Sequence, residues 1–212
     1  MRILAHRGFW MDESEKNTMK AISRAFDCGF GIETDLRDVC GKIVISHDCP
    51  KGNEILFEDV LKTLNSRDLV LALNIKADGL SKTIISLIEK YNVLDYFTFD
   101  MSIPEMFVQS KLDISYFTGI SDLSPGAVLY KKSFGVWLDA FDSMWYESSQ
   151  LNQLIEKIIV KDDKKICIVS EDLHKRSNSR QWELIRDSDF VNSDSLYLCT
   201  DKSMEAKEFF NV

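Results

Sequence analysis

Short apolar runs alternate with amphipathic stretches from one end of the 212-residue chain to the other. Runs rich in β-branched and aromatic residues predict strands at Arg2–Ala5, Gly31–Arg37, Lys42–Ser46, Leu69–Lys76, Tyr96–Asp100, Ile114–Gly119, Gly135–Ala140, Lys165–Ser170 and Leu196–Thr200. Apolar residues three and four apart predict helices at Lys16–Cys28, Phe57–Asn65, Ser81–Tyr91, Pro104–Lys111, Ser148–Val160, Arg180–Arg186 and Ser203–Phe210. Asn17 or the acids before it are expected to open the first helix, and Gly29 to close it. Pro104 suits a first helical turn.

Strands spaced by helices predict parallel βα units. Lys42–Ser46 follows Asp38-Val39-Cys40-Gly41 closely and reads as a hairpin arm. The remaining eight strands, with nearly as many helices, predict an α/β protein: a slightly shortened (β/α)8 TIM barrel with a small hairpin insertion after the second strand. Ser121–Ser133 has weak helix character, so one outer helix is expected to be short or missing. No linker, repeat or low-complexity tract interrupts the pattern, and residues 1–212 are expected to form one domain.

Candidate chemistry sits at the ends of the early apolar runs. His6 lies in Ala5-His6-Arg7-Gly8, Glu33 and Asp35 in Gly31-Ile32-Glu33-Thr34-Asp35, and His47 in Ser46-His47-Asp48. Residues two apart on a strand point the same way, so Glu33 and Asp35 share a face. Two adjacent carboxylates repel and are costly unless a cation lies between them. The same alternation puts Asn74 and Lys76 on one side of their strand. If the strands end at one rim, His6, Glu33, Asp35, His47, Asn74 and Lys76 converge where barrel active sites lie. Two proton-transferring imidazoles beside a two-carboxylate cation seat suit phosphodiester cleavage, with Arg7 and Lys76 offsetting phosphoryl charge. Which histidine is acid and which base cannot be read from spacing. His174, in Glu171-Asp172-Leu173-His174-Lys175-Arg176, reads as an exposed loop histidine in a basic cluster after the penultimate strand.

The net charge of −8 and a pI near 5.0 argue against a nucleic-acid partner, since no basic stripe exists to meet a phosphate backbone. Five cysteines, odd in number and without CxxC spacing, read as reduced thiols. No leader-like start and no apolar run of about 20 residues are present, so a cytoplasmic protein without stable membrane anchoring is expected. Oligomeric state is not legible.

His-Arg-Gly, Glu-x-Asp and His-Asp, in this order, resemble the glycerophosphodiester phosphodiesterase family. The resemblance runs from His6 through Asn17-Thr18, Glu33-Thr34-Asp35 and His47-Asp48 to Lys76, and returns faintly at Cys199-Thr200-Asp201 with Glu205-Ala206. It implies a metal-dependent (β/α)8 hydrolase that splits a small glycerophosphodiester into glycerol phosphate and an alcohol. On this resemblance His6 and His47 take the acid and base roles. Glu33 and Asp35 bind one divalent cation, Mg²⁺ or Ca²⁺, and Lys76 contacts phosphate. Beyond the resemblance, Asn74 is the candidate third metal ligand, and Arg7 and Asp139 are further candidates for substrate contact.

Two departures stand out. Lys16 replaces a carboxylate in the family's Pro-Glu-Asn-Thr, and Asn74 replaces the Glu that normally supplies a third metal ligand. An amide oxygen binds Mg²⁺ or Ca²⁺ but brings no charge. Asp100, Asp139 and Glu171 are the inward-facing acids that could compensate. The departures leave open a catalytically inactive barrel binding a phosphorylated ligand. The same residues also permit lyase-type cleavage to a cyclic phosphate, and the related sphingomyelinase D barrels share the layout on choline lipids.

Overall fold

A computed structural model describes residues 1–212. Nine strands alternate with seven α-helices. The chain folds as two compact units, one spanning Ala5–Tyr116 and the other Phe117–Val212 with Met1–Leu4. Strand β1 (Arg2–His6) straddles that division. Along the sheet the strands run β5-β4-β2-β1-β9-β8-β7-β6, with β3 beside β2. Eight strands in a βα alternation are the (β/α)8 barrel read from the pattern, with β3 as the inserted hairpin arm.

In the Ala5–Tyr116 unit, β2 (Gly31–Val39), β4 (Leu71–Ile75) and β5 (Tyr96–Phe99) pair in parallel. Every residue of β4 is buried, as a parallel strand covered on both faces requires. β3 (Lys42–Ile45) pairs antiparallel with β2 through a two-residue turn at Cys40 and Gly41. Their φ values of 50° and 77° are the left-handed pair that matches the twist of a tight hairpin. This pairing carries β2 two residues past the predicted Arg37, since Asp38 and Val39 find partners in Ile43 and Lys42.

Helix α1 (Met19–Asp27) is shorter than the predicted Lys16–Cys28. Asn17 takes a left-handed φ of 59°, and Thr18, rather than Asn17, caps the helix by accepting from Ala21 N. Ala21, Ile22, Ala25 and Phe26 form its buried stripe, and Gly29 follows its end at φ 81°. Helices α2 (Phe57–Leu64), α3 (Ser81–Lys90) and α4 (Ile103–Gln109) complete the unit. Pro104 stands in the first turn of α4, and Ser102 caps it on Glu105 N at 3.2 Å.

In the other unit, β6 (Phe117–Ile120), β7 (Gly135–Leu138), β8 (Lys165–Val169) and β9 (Leu196–Thr200) pair in parallel. β6 begins three residues later than predicted. Asp113 is left-handed at φ 54° and Ile114 N is spent on Gln109 O, so the chain turns there before it can extend. No α-helix forms between β6 and β7, only a single 3₁₀ turn at Tyr130–Lys132, in keeping with the weak pattern of that segment. Helix α5 (Ser148–Ile155) passes into π-type turns over Glu156–Lys161, and α6 (Ser179–Arg186) and α7 (Ser203–Phe210) follow. No helix is long and apolar enough to cross a membrane, and the five cysteines form no disulfide.

Candidate metal and phosphodiester site

The His-Arg-Gly segment ends β1 in a tight turn. Arg7 N donates to Glu33 O at 2.9 Å, which fixes the turn to β2, and Arg7 itself adopts φ 58°. Gly8 follows at φ 87°, where an added Cβ would lie 2.8 Å from the Ala21 backbone carbon of α1. Only glycine allows that approach.

On β2, Glu33 and Asp35 are 2% and 0% exposed. Asp35 pairs in register with Asn74 of β4, so these side chains lie side by side on one face, as the alternation predicted. His6 Nε2 stands 3.8 Å from Glu33 Oε2. Arg7 Nε is 3.1 Å from Asp35 Oδ2, and Lys76 Nζ is 3.5 Å from Asp35 Oδ1 and 3.9 Å from Asp100 Oδ2. Ser46 N donates to Asp35 O at 3.0 Å, which docks the His47 turn on the end of β2. His47 is half-exposed, with Nδ1 2.8 Å from Asp48 Oδ1; that contact holds the Asp48 carboxyl below its usual range. The structure thus gathers His6, Arg7, Glu33, Asp35, His47, Asn74 and Lys76 in one unit.

Two further residues belong to this set. Asn17 donates from Nδ2 to Asp35 Oδ2 at 2.8 Å and accepts from Thr34 Oγ1 on Oδ1 at 2.8 Å, so it holds both the first loop and the Asp35 carboxylate. Its Asn-Thr pair was visible in the sequence, but its function was not, because a helix position was expected there. Asp100, held at φ 64° after β5, lies 3.4 Å from Asn74 Nδ2 through Oδ2. Glu15 is committed to other partners. Arg24, Lys20 and Met11 N bind its carboxylate and pull its pKa down to about 2.

Asp139 and Glu171 lie in the other unit and are committed there. Asp139 Oδ1 is 2.7 Å from His174 Nε2 and accepts from Ala140 N at 2.7 Å. His174 is therefore a partly buried, acid-paired residue rather than the exposed loop histidine its sequence suggested. Glu171 is held in a two-pronged pair with Arg176, at 2.5 and 3.1 Å.

The donor set fits a hard cation. Glu33 Oε2, Asp35 Oδ1 and Asn74 Oδ1 are buried acceptors with no hydrogen-bond donor. Buried oxygens without hydrogen bonds are costly unless positive charge meets them; the Lys76 ammonium does so in part for Asp35 Oδ1, at 3.5 Å, and a cation between the three would do so for all. Burial and the neighbouring Asp35 charge push the Glu33 pKa up to about 7. The third oxygen is an amide's, and no cluster of three or more His, Cys, Asp or Glu side chains forms.

No protein-family model and no curated protein sequence matches the chain. Solved structures do. A provisionally assigned glycerophosphodiester phosphodiesterase from Galdieria sulphuraria superposes with TM-score 0.73 at 16% identity, covering 100% of this chain and 98% of that one. The glycerophosphodiester phosphodiesterase from Agrobacterium tumefaciens gives 0.70 at 16% identity with 100% of both chains covered. A phosphodiesterase from Oleispira antarctica, in complex with the product sn-glycerol-3-phosphate, gives 0.67 at 12% identity, covering 100% and 97%. The fold is theirs, and the family resemblance read from the motifs agrees with it.

Proposed function

We propose that this chain is a metal-dependent phosphoric diester hydrolase acting on a small, glycerophosphodiester-like substrate. The observation that carries the reading is the trio of buried oxygens without hydrogen bonds on Glu33, Asp35 and Asn74, with His6 Nε2 3.8 Å from Glu33 and the His47 turn docked on the end of β2 through Ser46 N. Those three would hold one divalent cation, Mg²⁺ or Ca²⁺, which when bound supplies Lewis-acid polarisation of a phosphoryl oxygen. Arg7 and Lys76 present guanidinium and ammonium charge beside the same seat and offset the negative charge that grows on the phosphoryl oxygens. One imidazole takes the proton of the attacking water and the other returns a proton to the leaving alcohol. Asn17 keeps the first loop and Asp35 in place. Free thiols suit a reducing compartment, and the reading places the enzyme in the cytoplasm.

The test is divalent-cation-dependent hydrolysis of glycerophosphodiesters by the purified protein, with His6→Ala and His47→Ala each losing roughly 10²- to 10⁴-fold. A folded wild type that stays inactive in Mg²⁺, Ca²⁺ and Mn²⁺ across several headgroups would refute it. One observation favours a second reading: Arg7 and Lys76 already neutralise Asp35, so the seat could serve an inactive barrel that binds a phosphorylated ligand. Tight ligand binding by calorimetry without turnover separates the two. Phosphorus NMR of the product separates hydrolysis from cyclisation.

A further inference from the structure

The side-chain amide of Asn74 has two ends of opposite kind, and only one of them suits a cation. Its Oδ1 is buried without a hydrogen bond, in the same state as Glu33 Oε2 and Asp35 Oδ1. Its Nδ2 lies 3.4 Å from Asp100 Oδ2. Turned over, the amide would set its oxygen against the Asp100 carboxylate and bring N–H donors to the cation seat. Both contacts are repulsive, so the Asp100 carboxylate decides which way the amide lies. A glutamate at this position would need no such guide, because both of its oxygens accept.

The backbone places Asp100 for this. Phe99, the last residue of β5, pairs in register with Asn74, and Asp100 follows at φ 64°. Aspartate is among the few residues besides glycine enriched in that left-handed conformation. The chain thus leaves β5 with this carboxylate still beside Asn74 of the neighbouring strand. The same carboxylate is 3.9 Å from Lys76 Nζ, which is 3.5 Å from Asp35 Oδ1. One ammonium is therefore shared between a half-exposed acid and a buried one. Asp35 Oδ2 meanwhile meets Asn17 Nδ2 at 2.8 Å and Arg7 Nε at 3.1 Å, which leaves Oδ1 as the oxygen without a hydrogen bond.

We propose that Asp100 is a positioning residue for the cation seat. By accepting from Asn74 Nδ2 it fixes the amide with Oδ1 toward Glu33 and Asp35, and so lets a neutral side chain serve where a carboxylate was expected. The proposal rests on the cation-binding half of the hydrolase reading and is tested without turnover. Mn²⁺ and Mg²⁺ are titrated calorimetrically into the metal-free protein. Asp100→Asn tolerates the left-handed φ but can turn either end of its own amide to Asn74. Asp100→Gly also tolerates the φ and removes the side chain. Each should weaken cation binding by about tenfold, the lower end of what groups that orient metal ligands contribute. The deciding readout is the same two substitutions made in Asn74→Glu, whose carboxylate has no wrong way round. There the loss should disappear. Unchanged affinity in both single variants overturns the proposal. So does an equal loss in both backgrounds, which would make Asp100 a ligand or a bare charge rather than a guide. A wild type that binds neither ion removes the seat and the proposal together. Hydrolysis of glycerophosphodiesters is read separately. Turnover with cation binding indifferent to Asp100 would sink only this proposal, and Asp100-dependent binding without turnover would sink only the hydrolase.

Discussion

Glu33 is the residue whose replacement should say most. Its carboxyl is 2% exposed beside Asp35, and its pKa rises from 4.5 to about 7 in the folded, metal-free protein. The folded state therefore holds a proton there that the unfolded chain releases. Below pH 4.5 both states are protonated and no penalty applies. Between 4.5 and about 7 the unfolded chain binds fewer protons, so stability falls as pH rises, and above 7 the penalty is fully expressed. The span corresponds to about 3 kcal/mol, at about 1.4 kcal/mol per pKa unit. For a chain of this size that is a Tm loss of roughly 6–12 °C.

Glu33→Gln keeps the shape and abolishes the titration. Thermal melts in EDTA from pH 4 to 8 should show the variant matching wild type at the acid end and exceeding it by about that margin near pH 8. Adding millimolar Mg²⁺ or Ca²⁺ at pH 8 should stabilise wild type, which can then leave Glu33 ionised against the cation, and leave the variant nearly unchanged. Parallel pH profiles for the two proteins would refute the reasoning. So would a wild type that gains stability relative to the variant as pH rises without metal.

Two more perturbations probe the same architecture. Asn74→Glu should return a third carboxylate beside Asp35 and tighten divalent-cation binding by about tenfold or more in calorimetry, since one added charge near a dication contributes on the order of several kcal/mol before screening; unchanged affinity would remove Asn74 from the ligand set. Gly8→Ala should cost about 2–4 kcal/mol in denaturant melts, because its Cβ would stand 2.8 Å from Ala21 backbone at a positive φ, and a neutral effect would show that the turn yields easily.

Much of the fold was legible because its signals are local. The uniformly apolar β4 and the stripe of α1 announce themselves within a few residues, and β9 (Leu196–Thr200) and α7 (Ser203–Phe210) fall where the pattern put them. Boundaries slipped where a distant partner decided them. β2 gained two residues from β3, and α1 lost three at its start because Asn17 is used on Asp35 and Thr34 instead of in a helix. The Glu33–Asp35 face followed from strand alternation, and the histidines from their motifs.

The sequence by itself determined the order of strands and helices, the shared face of Glu33 and Asp35, and the types of residue available for proton transfer and cation binding. Tertiary structure decided which of them meet. It set Asn74 beside Asp35 through the β2–β4 register, brought Arg7 and Lys76 onto one carboxylate, committed Asp139 to His174, and shifted the Glu33 proton affinity. The division has one physical cause. Periodicity is a property of neighbours along the chain, whereas desolvation and charge act through space and take their values only once segments far apart in sequence have been packed together.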